Sequence, residues 1–67
     1  MLRYKIDVLA ELKAKGYTTY RLKKDSLLSN STVQKIRSGI MVNSHNLDLL
    51  CSMLNCQPGD IIEYIRT

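Results

Sequence analysis

An all-α fold of five short helices is what this 67-residue chain predicts, and three observations carry the prediction. Apolar residues recur at helical spacing, capping residues stand ahead of those runs, and glycine or asparagine follows them. One compact domain over residues 1–67 is expected. The chain is 45% apolar, has a single proline and holds no long glycine or serine linker. At about 60 residues, folding buries only ~60% of the unfolded chain's surface, which leaves no room for a separate sensor domain.

The first helix is expected from about Leu2 or Tyr4 to Lys15, with Leu9 and Leu12 inward, Val8 or Ile6 beside them, and Gly16 as its stop. Thr18 should cap a second helix that ends near Asp25 or Ser26, because a hydroxyl there accepts from amides the helix leaves unpaired. Ser29 should cap a third helix, Asn30 to Ser38. On a wheel of about 3.6 residues per turn, Val33 and Ile36 fall on one side, with Leu28 just ahead of them. Asn30, Ser31, Gln34, Lys35 and Ser38 gather on the other.

After Gly39 the stretch IMVNSHN reads as a loop ending in a cap at Ser44 or Asn43. A fourth helix, about His45 to Leu54, sets Leu47, Leu50, Cys51 and Leu54 in one core stripe. Leu49 lies nearly opposite that stripe and Met53 also falls off it, which implies an outward apolar patch. Asn55 should end this helix in a left-handed turn. Pro58 then opens a short fifth helix, with Asp60 two residues on. Ile61, Ile62, Tyr64 and Ile65 either close the core or leave it.

The third helix is the functional candidate. Its outward face offers amides, hydroxyls and a cation, without a carboxylate, and these groups can meet base edges and phosphates. Gln34 suits adenine and Lys35 suits guanine, while Asn30 and Ser31 stand at the helix start. Phosphate candidates are Thr18, Thr19 and Tyr20 at the second helix's positive end, Lys23 and Lys24 nearby, and Ser38. The bland readings are a merely wetted helix face and, for Tyr17 and Tyr20, plain packing; packing is preferred for Tyr17. Charge favours DNA. Residues 13–39 hold Lys13, Lys15, Arg21, Lys23, Lys24, Lys35 and Arg37 against Asp25 alone, whereas residues 40–67 hold Arg66 against Asp48, Asp60 and Glu63. A protein facing a polyanion on one side should show such asymmetry.

The run TTYRLKKDSLLSNSTVQKIRSG, from Thr18 to Gly39, resembles the helix-turn-helix of Cro and phage-repressor (Xre-like) regulators, and the later LDLLCSMLNCQPGDIIEYI resembles a short single-domain branch of that family. The resemblance implies a lambda-repressor-like fold, with the helix-turn-helix at about 18–39 formed by the second and third helices. It adds Asn43, Ser44 and His45 as phosphate contacts, although a surface loop is the preferred reading for His45 alone. Two departures stand out. Lys23 occupies the place where the family packs a small residue, and Leu27 the place where a turn glycine is frequent. Arg37 stands where the family often carries glutamate, so Asp7 or Glu11 becomes its candidate partner.

The implied function is a sequence-specific regulator of transcription, a repressor in the first instance, that reads a double-stranded DNA operator. Helix-turn-helix proteins of this size usually read two half-sites about 34 Å apart as symmetric dimers, so a homodimer is expected. Leu49, Met53, Tyr64 and Ile65, with the Ile40 to Val42 triplet, are its interface candidates. The rival reading is a protein-interaction module on the same fold, such as an antitoxin or anti-repressor.

Other classes fare worse. His45, Cys51 and Cys56 give at most three metal ligands at poor spacing, and Cys51 reads better as a small core hydrophobe. No glycine-rich phosphate loop or carboxylate pair suggests an enzyme, and no cofactor or small-molecule ligand is expected. The N-terminus lacks a secretory apolar core and no stretch could span a bilayer. Two reduced cysteines then suggest the cytoplasm.

Overall fold

The computed structural model describes residues 1–66, in the order β1 (Leu2–Tyr4), α1 (Val8–Ala14), α2 (Thr19–Lys24), α3 (Asn30–Arg37), α4 (Ser44–Leu54), α5 (Pro58–Ile61) and β2 (Ile62–Tyr64). Five helices are present, but the all-α expectation needs correcting. β1 and β2 form an antiparallel ribbon in the register Leu2↔Tyr64, Arg3↔Glu63, Tyr4↔Ile62.

The first helix therefore starts later than expected. Asp7 is its cap, accepting from the Ala10 amide at 3.2 Å, so helical geometry begins at Val8 and residues 2–4 are free to pair elsewhere. The ribbon is fastened on both sides. Arg3 meets Glu63 at 2.7 Å, and the Lys5 amide donates to the Ile61 carbonyl at 2.7 Å. The Tyr4 hydroxyl reaches across to donate to the Ile40 carbonyl at 2.8 Å, tying β1 to the loop after α3.

The helix ends follow local codes. Thr18, Ser29 and Asn43 cap α2, α3 and α4, each accepting from the amide three residues on. At the end of α1, Gly16 takes φ +90 while the Tyr17 amide donates back to Leu12. Gly39 at φ +78 repeats the arrangement after α3, with the Ile40 amide donating to Lys35. Asn55, at φ +53, ends α4 in the expected left-handed turn. In α5, Pro58 stands first and Asp60 accepts from the Gln57 amide at 3.0 Å.

The left-handed residue after α2 is Ser26, at φ +53, rather than Leu27. The Ser26 amide donates to Lys23 and the Leu27 amide to Leu22, which closes the turn with Ser26, one residue before the place where the resemblance puts a frequent glycine. Leu27 is thereby released to pack, half-buried, against the core. The strain, about 1 kcal/mol for a residue with a Cβ, falls on a serine.

Val8, Leu12, Leu22, Leu28, Val33, Ile36, Val42, Leu50, Leu54 and Ile61 make the buried core. Leu47 and Cys51 of the expected α4 stripe are half-buried. Leu49 and Met53 are half-buried too and pack against the same core, so the outward patch expected at Leu49 is not there. A helix flanked by α1 and α5 has less open face than a wheel drawn in isolation suggests. The exposed large apolar side chains are Met1, Leu2, Tyr20, Ile40 and Tyr64.

Candidate nucleic-acid interface

On α3 the two faces separate as the sequence implies. Val33 and Ile36 are buried, whereas Asn30, Ser31, Gln34, Lys35 and Ser38 are all exposed. Gln34 and Lys35 make no side-chain hydrogen bond or ion pair among the described residues, so their donors and acceptors are free for a partner.

The start of α3 is held by a small polar network that the sequence reading did not assign. Ser29 accepts from the Thr32 amide at 3.2 Å, and its hydroxyl lies 2.8 Å from that of Thr32 and 3.2 Å from that of Ser31. Thr32 is only 5% exposed, yet its hydroxyl is satisfied a second time, accepting from the Asn46 side-chain amide at 3.2 Å. Asn46 lies in the first turn of α4, where its own backbone amide donates to Asn43 at 2.9 Å. The opening turns of α3 and α4 are thus laced together. That lacing brings Asn43, Ser44 and His45, all exposed, beside the Asn30–Ser31 end of α3. The Ser29 cap was legible locally, but the Thr32 hydroxyl's place in the network depends on Asn46 of α4.

Basic groups border the same surface. Exposed Lys23 shares a shallow depression with Ser26, Leu28, Ser29 and Asn30, so the lysine in the small-residue position keeps its ammonium in solvent at the foot of α3. Lys24 stands over the exposed ring of Tyr20, 5.8 Å from its centroid. Thr19 is half-buried and lines another depression of about 400 Å³ with Lys13 and Arg37. Thr18 and Asn43 spend one acceptor each on their caps. Thr18 retains a hydroxyl proton and Asn43 an amide group to donate.

Two further basic residues, Arg21 and Arg37, lie near this surface. Arg21 is exposed but tied down within the chain, donating to the Gly16 carbonyl at 3.2 Å, meeting Asp25 at 3.4 Å and lying 5.0 Å above the Tyr17 ring. That agrees with packing for Tyr17, which is half-buried against the core. Arg37 forms no ion pair with Asp7 or Glu11 among the described residues. Asp7 lines the same depression, but its carboxylate is occupied in capping α1.

The dimer candidates divide. Tyr64 is 68% exposed and Ile65 half-buried, alongside exposed Met1 and Leu2 on the ribbon, while Leu49 and Met53 lie against the core. Among the described residues no three His, Cys, Asp or Glu side chains converge in a way that could hold a metal, and no helix is long and apolar enough to cross a membrane.

Comparison with known proteins gives one result. The family model for a Cro/C1-type HTH DNA-binding domain matches residues 5–66. No curated protein and no solved structure matches the chain.

Proposed function

We propose that this chain, which belongs to the Cro/C1-type HTH DNA-binding domain family, is a cytoplasmic transcriptional repressor that reads an operator as a symmetric homodimer. In this reading α2 and α3 form the helix-turn-helix and α3 enters the major groove. Asn30, Ser31, Gln34 and Lys35 contact bases. Thr18, Thr19, Tyr20, Lys23, Lys24, Ser38, Asn43, Ser44 and His45 hold the flanking phosphates. Binding, rather than catalysis, is the activity.

The observation that carries the proposal is the carboxylate-free polar face of α3, exposed and backed by buried Val33 and Ile36. Tyr64 and Ile65 supply the dimer contact together with Met1 and Leu2, and Leu49 and Met53 contribute what surface they retain. The rival reading as a protein-interaction module drew on Lys23 and Leu27. It loses support where Ser26 takes the left-handed turn and Lys23 stays in solvent.

Electrophoretic retardation of a generic duplex tests the proposal directly. Binding at low salt is expected, with log affinity falling linearly and steeply against log salt as condensed counterions are released. Absence of retardation, or a flat salt response, would refute it.

A further inference from the structure

Cys51 and Cys56 lie outside the reading surface, and the proposed function does not use them. Both are reduced and half-buried. They flank the turn that ends α4, where Asn55 is left-handed and the Cys56 amide donates to the Cys51 carbonyl at 3.1 Å. In a turn of this kind, the two residues joined by that bond are the pair whose side chains commonly meet. Standard bond lengths, with that hydrogen bond, hold the two Cα atoms within about 7 Å. Disulfides span Cα separations of roughly 4.4–6.8 Å.

Both cysteines line one open depression of about 420 Å³ beside Asp48, Gln57 and Pro58, so a small reagent has access to them. Burial pushes the Cys51 thiol up, and Cys56, Asp48 and Asp60 add to the effect, which places Cys56 within electrostatic reach of its neighbour.

We propose that Cys51 and Cys56 form a dithiol site that closes to an intrachain disulfide by exchange with a low-molecular-weight disulfide. Cys56 reacts first, because burial disfavours the Cys51 thiolate. Its thiolate attacks one sulfur of the reagent, a mixed disulfide forms, and one thiolate leaves. Cys51, giving up its proton, then attacks the Cys56 sulfur; the Cys51–Cys56 bond forms and the second reagent thiolate departs. The two protons lost by the protein end on the two reagent thiols, and the reagent is reduced as the dithiol is oxidised.

The test is to incubate the reduced full chain with oxidised glutathione, quench in acid and weigh the products. A monomer lighter by two hydrogen atoms is expected, with a peptide map joining Cys51 to Cys56. Cys51→Ser should stop at a glutathione adduct on Cys56, and Cys56→Ser should form its adduct on Cys51 more slowly. In denaturant, closure should be less favourable than in the folded chain, since the turn that apposes the thiols is gone. A stable glutathione adduct on the wild-type chain, disulfides between chains, unreacted thiols, or equal closure in the denatured chain would each overturn the proposal.

Discussion

The α2–α3 end and the ribbon end of this protein are held together by different kinds of information. At the first, each helix start is fixed by a residue three positions away: Thr18 accepts from the amide of Arg21, and Ser29 from that of Thr32. At the second, Leu2 pairs with Tyr64, and the Tyr4 hydroxyl donates to Ile40, across most of the chain. The local end presents polar side chains to solvent over a buried apolar back. The non-local end fastens Leu2–Tyr4 to Ile62–Tyr64 and reaches, through Tyr4, to the loop that leaves α3. The polar face of α3 is thus built on short-range caps, whereas the ribbon is built on long-range pairing.

The largest expected effect should break the ribbon end alone. Ile61 is fully buried where α5 passes into β2, so Ile61→Ala should cost about 2–5 kcal/mol of stability in a denaturant titration. At temperatures where the variant remains folded, its affinity for DNA should be unchanged. A parallel loss of affinity would show that the two ends are not independent.

Next come substitutions confined to the reading end. Gln34→Ala or Lys35→Ala should cost about 1–3 kcal/mol of affinity and relax preference at one base position. Lys24→Ala should weaken all duplexes alike and lower the salt slope by about one. Binding-site selection on random duplexes separates the two patterns, and sequence-blind losses in all three variants would remove the assigned roles.

A smaller effect concerns the turn between α2 and α3. Ser26→Gly should raise stability by about 0.5–1 kcal/mol, because glycine adopts φ +53 without the Cβ clash, offset in part by a freer unfolded chain. Thermal unfolding checks it, and a loss of stability would mean that the Ser26 side chain contributes more than its strain costs.

Tyr4→Phe should give an effect of similar size, about 0.5–1.5 kcal/mol, through the lost bond to Ile40. It also has a signature in pH. Burial raises the Tyr4 hydroxyl from its ordinary value of 10.0, opposed in part by the Val42 backbone. The protonated form is therefore favoured in the folded state, and its contribution is complete below pH 10 and lost as pH rises through the raised value. The difference in denaturant midpoint between wild type and Tyr4→Phe should shrink at alkaline pH.

The same contrast explains what could be read from the sequence. Caps at Thr18 and Ser29, the two faces of α3, the stop at Gly16 and the left-handed Asn55 are written within a few residues of where they act, and the structure shows them all. The ribbon was illegible, because LRY and IEY are too short to declare a strand and neither carries the address of the other. Ser26 carries no local mark of its left-handed turn, because the amide pairings that close it are set by the packing of α2. Leu49 and Met53 looked outward on a helical wheel, which contains no neighbouring elements. At the interface, the exposed residues of α3 were visible in advance. The Thr32–Asn46 bond beneath them was not, because a buried hydroxyl announces itself only when its partner from another helix is known.

Met1 and Ile65 exchange backbone hydrogen bonds, so the first and last described turns of chain lie side by side. A short linker could splice them, and a new opening cut at another exposed turn would yield a circular permutant that keeps the ribbon's backbone pairing intact. In such a molecule the pairing of Leu2 with Tyr64 would become a hairpin between sequence neighbours.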